Sequence, residues 1–534
     1  MAGYTRLNDV NGAKWITAAL VVVVSGVTWG CVDSVVSGAD NSFNVVEVVG
    51  DESDDNLESP DDGRDYDAGE PCDWGEDHPW SSDGAGAHNT FRSSAGGPSE
   101  LSDVEYLEMP LQTWESADSE TSPHAIRSIA VAASGMSLAL FRSRDGDSSE
   151  NPFVLKAFDA SGDALWDRQL AELEGDVSNR FNRGISMTLV EDCQIAVAFD
   201  DGLYFIDGAD GSLKSDIEFD GPVVGPLHVV DSRTMLVATD RYSGDFSDLK
   251  ISVQSIDDDR QSSTTIYEGF QYSFWSGRSG SPTTVYDETT DLLFVPASGA
   301  EIDDPKEEPE HVSSEAGIVG IDRQTGQIEM SVLPHSDDLS DGHSAFTSGF
   351  GSVYPVASDG DYLYFHADSH RTRYLGAVDL QSEAVSWFGY TETFADTDSG
   401  TPTFQGAPGH VITGNSSMVF AYLDHIVAVD DAGETAWKDV IDDSFLGAAG
   451  EPAMVADATG SIYIVDESSN EILRLSESGN ITDRYAFDDR WARVRPIAMG
   501  AEQRLMLEAT DHHCHDDHCT ASTYLVSLGA GLRE

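Results

Sequence analysis

Lysine is nearly missing from this chain. Lys14, Lys156, Lys214, Lys250, Lys306 and Lys438 are the whole set, and lysine and arginine together number 29 against 96 aspartates and glutamates, a formal net charge of -67. A nucleic-acid binder needs a basic stripe to displace phosphate counterions, and none exists here, so nucleic acid is excluded as a partner. The acids are spread through the chain instead of gathered in one tail. That distribution predicts adaptation to high salt, where charge repulsion is screened within about 3 Å at 1 M.

Cysteine is scarce as well. There are 5, at Cys31, Cys72, Cys193, Cys514 and Cys519, and no two are adjacent. Long apolar runs are lacking: the run 17–27 (TAALVVVVSGV) falls short of the about 20 residues that a spanning helix wants. No stretch follows the D-x-[DN]-x-[DN]-G spacing of a calcium loop. A nucleophile elbow is missing too. WSGRSGSP (275–282) puts Gly280 one place early and Ser281 where the second glycine is required, so it reads as a turn.

What is present begins with an export signal. Arg6 and Lys14 precede the apolar run, which has the length of a signal h-region and ends in Trp29, Gly30 and Cys31. The junction VTWGC resembles the lipobox of bacterial and archaeal lipoproteins, although Thr28 and Trp29 depart from its usual residues. The resemblance implies that Cys31 is diacylated and anchors the chain to a membrane. A conventional signal peptide and an uncleaved signal anchor are the alternatives, and all three export the protein. From 32 to 103, Asp, Glu, Ser and Gly dominate, as in DESDDNLESPDDGRDYDAGEP. Such a stretch cannot bury enough apolar area to offset about 1–2 kcal/mol per residue of backbone entropy. The expectation is a signal segment (1–31), a disordered acidic linker (32–103) and one folded domain (104–534).

That domain is repetitive. IVAVDDAGETAW (426–437) reads as strand, turn, strand, and degraded copies return at 154–166, 203–213, 317–330, 374–387, 472–485 and 524–531. Before most of them comes a Gly- or Pro-containing opening and two further strand-like runs, as in GSVYPVASDGDYLYFHAD (351–368). Four strands per unit, repeated every 45–65 residues or so, predict an all-β propeller of four-stranded antiparallel blades. Hairpins centred near Asp159, Asp207, Asp257, Asp322, Asp379, Asp430, Ser476 and Ser527 count eight blades, with seven as the alternative because the third unit is the least regular. The last unit ends after its third strand. The orphan run VEYLEMPLQTW (104–114) is expected to supply the fourth and close the ring.

These repeats resemble the pyrroloquinoline-quinone (PQQ)-type β-propeller repeat. Asp159, Gly162 and Trp166, and Asp430, Gly433 and Trp437, match its pattern; Asp379 with Trp387 matches without the glycine and Asp322 with Gly326 without the tryptophan. The resemblance implies that Trp166, Trp387 and Trp437 dock between blades. It also raises the possibility of a quinoprotein-type oxidoreductase with bound PQQ and calcium. The family's enzymes carry a vicinal disulfide that this chain cannot form, and the same repeat serves non-catalytic proteins, among them a lipoprotein that assists outer-membrane barrel assembly. The expectation is therefore a non-enzymatic binding or scaffolding module without a cofactor, exported, held at the cell envelope by its lipid, and partnered by an envelope or extracellular protein or a glycan.

The chemically dense stretch is DHHCHDDHCT (511–520), expected as a hairpin loop between two strands. Two readings stay open. Cys514 and Cys519 could close as a disulfide in an oxidising compartment, with Cys72 and Cys193 as a weaker second pair. Alternatively His512, His513, Cys514, His515, His518 and Cys519 could hold zinc or copper and make this a metal-binding surface protein.

Overall fold

A computed structural model describes most strands and short turns between residues 93 and 529. The segments 1–92, 117–125, 144–152, 171–184, 243–248, 271–283, 299–315, 333–351, 391–409, 441–453 and 530–534, with several shorter gaps, lie outside the description. The described chain forms eight four-stranded sheets. Blades 1 to 7 span 126–169, 186–218, 228–270, 285–332, 352–390, 410–440 and 454–486, each an antiparallel meander in chain order. The count is eight and not seven. The irregular third unit is a full blade, its last hairpin formed by Leu249–Ile256 and Ser263–Phe270.

Blade 8 takes strands from both ends of the chain. Trp491–Gly500, Arg504–His515 and His518–Gly529 supply three, and Glu105–Ser116 pairs antiparallel with the last of them, from Glu105↔Gly529 to Ser116↔Cys519. Pro110 is tolerated because this strand is outermost and needs no further partner for a backbone N–H. The run at 104–114 thus closes the ring as expected and removes an open edge.

The core lies between blades. Along Gln194–Phe199 of blade 2, Ile195, Val197 and Phe199 pack towards blade 1, while Ala196 and Ala198 pack towards blade 3. Both faces of every sheet are covered, which is why these strands read as continuous apolar runs and not as alternating ones. At the blade 1–2 interface the Phe153 and Phe199 rings meet edge to face with centroids 5.5 Å apart.

One expected boundary moves. Residues 93–101, placed by sequence in the acidic linker, are seated on blade 7. The Ser93 amide donates to the Ala456 carbonyl and the Ala458 amide to the Ala95 carbonyl, both at 2.9 Å. The Gly97 amide donates to Asp457 Oδ2 at 3.1 Å, and a Cβ on Gly97 would stand 2.4 Å from the Tyr463 hydroxyl oxygen. Leu101 is fully buried in the cluster that joins blades 7, 8 and 1. Burying this leucine contributes about 1.5–3 kcal/mol towards ordering the strap, and the hydrogen bonds to blade 7 add to it.

Candidate binding faces and the blade 8 hairpin

An antiparallel meander puts the turn from first to second strand and the turn from third to fourth strand on one face of the ring. The connection from second to third strand and the passage to the next blade lie on the other. These two faces differ.

The first is built of tight turns. Asp159 Oδ1 accepts the amides of Ser161 and Asp163, each at 2.9 Å, and Asp430 Oδ1 accepts those of Ala432 and Glu434 at 3.0 and 2.9 Å. The repeated aspartate is therefore the cap of its turn. Each such turn rests against the fourth strand of the preceding blade. The Trp166 indole donates to the Gly208 carbonyl at 2.8 Å, and the Trp437 indole to the Glu477 carbonyl at 2.9 Å. Gly211 and Gly479, at φ 72° and 81°, are where the rings lie: a Cβ there would come within 2.7 and 2.4 Å of Trp166 and Trp437. Trp387 is buried against Gly433, beside the bond from Ser386 Oγ to the Asp431 carbonyl at 3.2 Å. Where no tryptophan exists something else takes the place: the Leu107 side chain lies against Gly162, and the Ile266 backbone carbonyl against Gly326.

Three buried tyrosines tie this face to its carboxylates. Tyr286 donates to Asp291 at 2.6 Å, Tyr364 to Asp359 at 2.9 Å and Tyr463 to Asp457 at 3.1 Å. Burial foremost, and then the neighbouring carboxylate, pushes all three phenols well above their ordinary pKa. Cys193 also sits here, in the turn between the first two strands of blade 2, with φ 58°. It is disulfide-bonded, and none of the other four cysteines has a described side chain. Cys31 and Cys72 lie wholly outside the described residues.

At the second face end the strands that flank the long connections. Those following blades 1, 3, 4, 5 and 6 cover 170–185, 271–284, 333–351, 391–409 and 441–453, and blade 4 adds 299–315 between its second and third strands. The blade 8 hairpin reaches the same face. The stretch 511–520, expected as a loop, is strand on both sides of the turn 516–517. Cys514 stands directly opposite Cys519, His515 opposite His518 and His513 opposite Thr520. Side chains from 512 to 519 are outside the description.

Around the axis, inner strands exchange polar contacts that sequence reasoning passed over. His228 Nε2 and Thr284 Oγ1 are 2.8 Å apart across blades 3 and 4, and Ser358 donates to Asp287 across blades 4 and 5. The rings of His366 and His410 meet with centroids 5.8 Å apart across blades 5 and 6. At the seam, Arg495 Nε donates to the buried Glu508 at 2.6 Å. Arg495 Nη2 then holds the Ile126 carbonyl at 2.8 Å, and Glu508 Oε1 its amide at 3.2 Å. This pair grips both backbone groups of the first residue of blade 1. Among the described residues no group of three or more His, Cys, Asp or Glu side chains is arranged to hold a metal ion.

Strand topology, Asx-capped turns and docked tryptophans together define an eight-bladed β-propeller of four-stranded antiparallel blades. No family model and no curated protein matches the chain. Among solved structures it is similar to BamB from Moraxella catarrhalis, at 14% identity and TM-score 0.44, covering 78% of this chain and 100% of that one. It is also similar to the quinohemoprotein alcohol dehydrogenase from Comamonas testosteroni, at 10% identity and TM-score 0.44, covering 84% and 80%. A second quinohemoprotein alcohol dehydrogenase, from Pseudomonas putida HK5, matches at 9% identity and TM-score 0.49, covering 86% and 81%.

Proposed function

We propose that this protein is an exported, non-enzymatic binding module, anchored at the cell envelope through acylated Cys31, which presents the long-connection face of its propeller to an envelope or extracellular protein or glycan. The observation that carries this reading is the difference between the two faces. Residues 93–101 cross the tight-turn face of blade 7, from Ala456 at the end of its innermost strand to Asp483 in its outermost, where the Leu101 amide donates to the carboxylate. The N-terminal chain therefore joins the ring from the tight-turn side. The opposite face is left clear of this strap, and it is the face from which the long connections leave, in which binding residues concentrate. Pairing of Cys72 with Cys193 would hold the linker to the tight-turn side a second time.

Photo-crosslinking residues placed in the full chain in intact cells test the choice of face. Arg142 and Ser331, exposed near strand ends on the long-connection side, report that face, and Ser161 and Ala432 the tight-turn face. Adducts from the first two alone are expected; adducts confined to the second two would overturn the proposal. Cys31→Ser should free the protein from membranes, and unchanged association would remove the lipid anchor from the reading.

A further inference from the structure

Among the described residues every lysine and arginine side chain has a partner, with two exceptions. Lys214, Arg323, Arg484, Arg490 and Arg495 pair with carboxylates, and the others donate to carbonyls or have further partners. The exceptions are Arg127 and Arg142, both exposed, whose guanidinium groups make no hydrogen bond or ion pair among the described residues. In a chain with 96 aspartates and glutamates, a carboxylate for every cation is the easy outcome. The two groups left without one belong to a single hairpin of blade 1.

That hairpin is Ile126–Val131 with Ser137–Arg142. Ile126 opposes Phe141 and Ser128 opposes Leu140, so Arg127 is the extra residue of a β-bulge. The bulge lets Ile126 and Ile129, three residues apart, both pack into the seam cluster, and it leaves Arg127 exposed between them. Arg142 follows Phe141, a diagonal position that on a regular strand pair stands about 7–8 Å away, within reach of long side chains. Both arginines are at the long-connection end of the hairpin. A third guanidinium arrives from blade 8, where Arg495 Nη2 donates to the carbonyl of Ile126 at 2.8 Å, on the peptide that leads into Arg127. Although exposed, Arg127 has enough protein around it that desolvation foremost, and then the charges of Arg495 and Arg142, lowers its pKa, with the Glu508 carboxylate opposing. Glu508 is already engaged by Arg495 and the Ile126 amide. Three guanidinium groups beside one carboxylate leave a surplus of positive charge on a protein that is otherwise strongly negative.

We infer that Arg127 and Arg142 form a binding site for the carboxylate or phosphate group of a small molecule, on the long-connection face beside the seam of blades 8 and 1. A guanidinium presents a planar fork of N–H donors that matches either group bidentately, and two forks on one hairpin suffice to hold one oxyanion. Partial desolvation strengthens that pairing relative to open water. Arg495, engaged by Glu508 and the Ile126 carbonyl, adds positive field without being a contact. The ligand is small because a net charge of -67 repels an anion in proportion to the charge it carries, whereas the forks attract one group. An acidic polymer gathers repulsion along its whole length and gains attraction at one point. The site requires neither a membrane anchor nor a macromolecular partner, so it stands apart from the role proposed above.

Equilibrium dialysis of the full-length protein against labelled inorganic phosphate and, separately, labelled succinate tests the site, in about 1 M sodium chloride to screen the repulsion. Saturable binding of one equivalent is expected for at least one of the two. Phosphate alone assigns a phosphate group, succinate alone a carboxylate, and both together the chemistry they share. Arg127→Gln and Arg142→Gln should each weaken binding by more than about tenfold, the loss expected of a charge-assisted hydrogen bond. Arg484→Gln removes the same charge from an exposed pair with Glu471 on blade 7 and should leave the affinity within about threefold. Arg127→Gln also relieves like-charge repulsion, so without phosphate or succinate its urea midpoint should be no lower than that of the parent protein. No saturable binding of either anion, or undiminished binding in either of the first two variants, would overturn the inference. So would a lowered midpoint in Arg127→Gln, which would make that guanidinium a structural group.

Discussion

At the scale of single residues, stability is concentrated in a few buried polar groups. Glu508 has 1% of its side chain exposed and has Arg495 and the Ile126 amide as partners. Arg495→Ala takes away the ion-pair partner of that buried carboxylate, and losing one partner of a buried pair costs about 3–5 kcal/mol. The expected result is a lower urea midpoint. Replacing both residues together by apolar ones of similar volume should cost less, and equal losses would mean the pair is not coupled. The three buried tyrosines set a pH limit. Each has its folded-state pKa raised above the unfolded value of about 10, so below that value both states hold the proton and stability is unaffected. Above about pH 10 the unfolded chain releases protons that the folded ring retains, and stability falls as pH rises. Tyr463→Phe should make that alkaline decline shallower; a decline of unchanged slope would show that Tyr463 ionises freely in the folded protein.

At the scale of elements, the closing strand does what the linker does not. Deleting 105–116 removes the outermost strand of blade 8, exposes the edge His518–Gly529 and strips Met109 and Leu111 from the seam cluster, so aggregation or unfolding is expected. Deleting 51–69 should leave the melting curve of the ring nearly untouched, and comparable damage from both deletions would contradict this division of the chain. The closing strand was legible in sequence because its alternation survives between polar flanks. The strap at 93–101 was not: one leucine among Ser, Gly and Pro carries no period, and its seat depends on Asp457 and Tyr463, more than 350 residues away. The blade 8 hairpin was misread as a loop for a similar reason. From 511 to 520 every residue is Asp, His, Cys or Thr, so the stretch lacks the apolar alternation by which strands are recognised. The docking turns were legible from Asp, Gly and Trp, but the substitutes Leu107 and Ile266 carry no signal of their own. The polar contacts around the axis depend on which blades are adjacent, and no local pattern encodes that.

At the scale of the molecule, charge is the dominant unresolved force on the fold. Even if every lysine and arginine were paired, a net charge of -67 would remain, and the described ion pairs, Arg495 with Glu508, Arg323 with Asp291 and Arg484 with Glu471 among them, offset little of it. Salt acts on both terms with opposite sign. It weakens exposed pairs, each worth about 0.2–1 kcal/mol, and it screens the far more numerous repulsions among unpaired carboxylates. Raising ionic strength from about 0.1 M to about 1 M shortens the screening length from about 10 Å to about 3 Å, below the spacing of most surface charges. Repulsion should therefore relax more than attraction, and the urea midpoint should rise steeply with sodium chloride. Sulfate stabilises most proteins by exclusion from their surface, so chloride, which is less excluded, is the discriminating salt. A midpoint that stays flat in chloride and rises only in sulfate would mean that the acidic surface is neutral to stability, and its composition would then need a cause other than high salt.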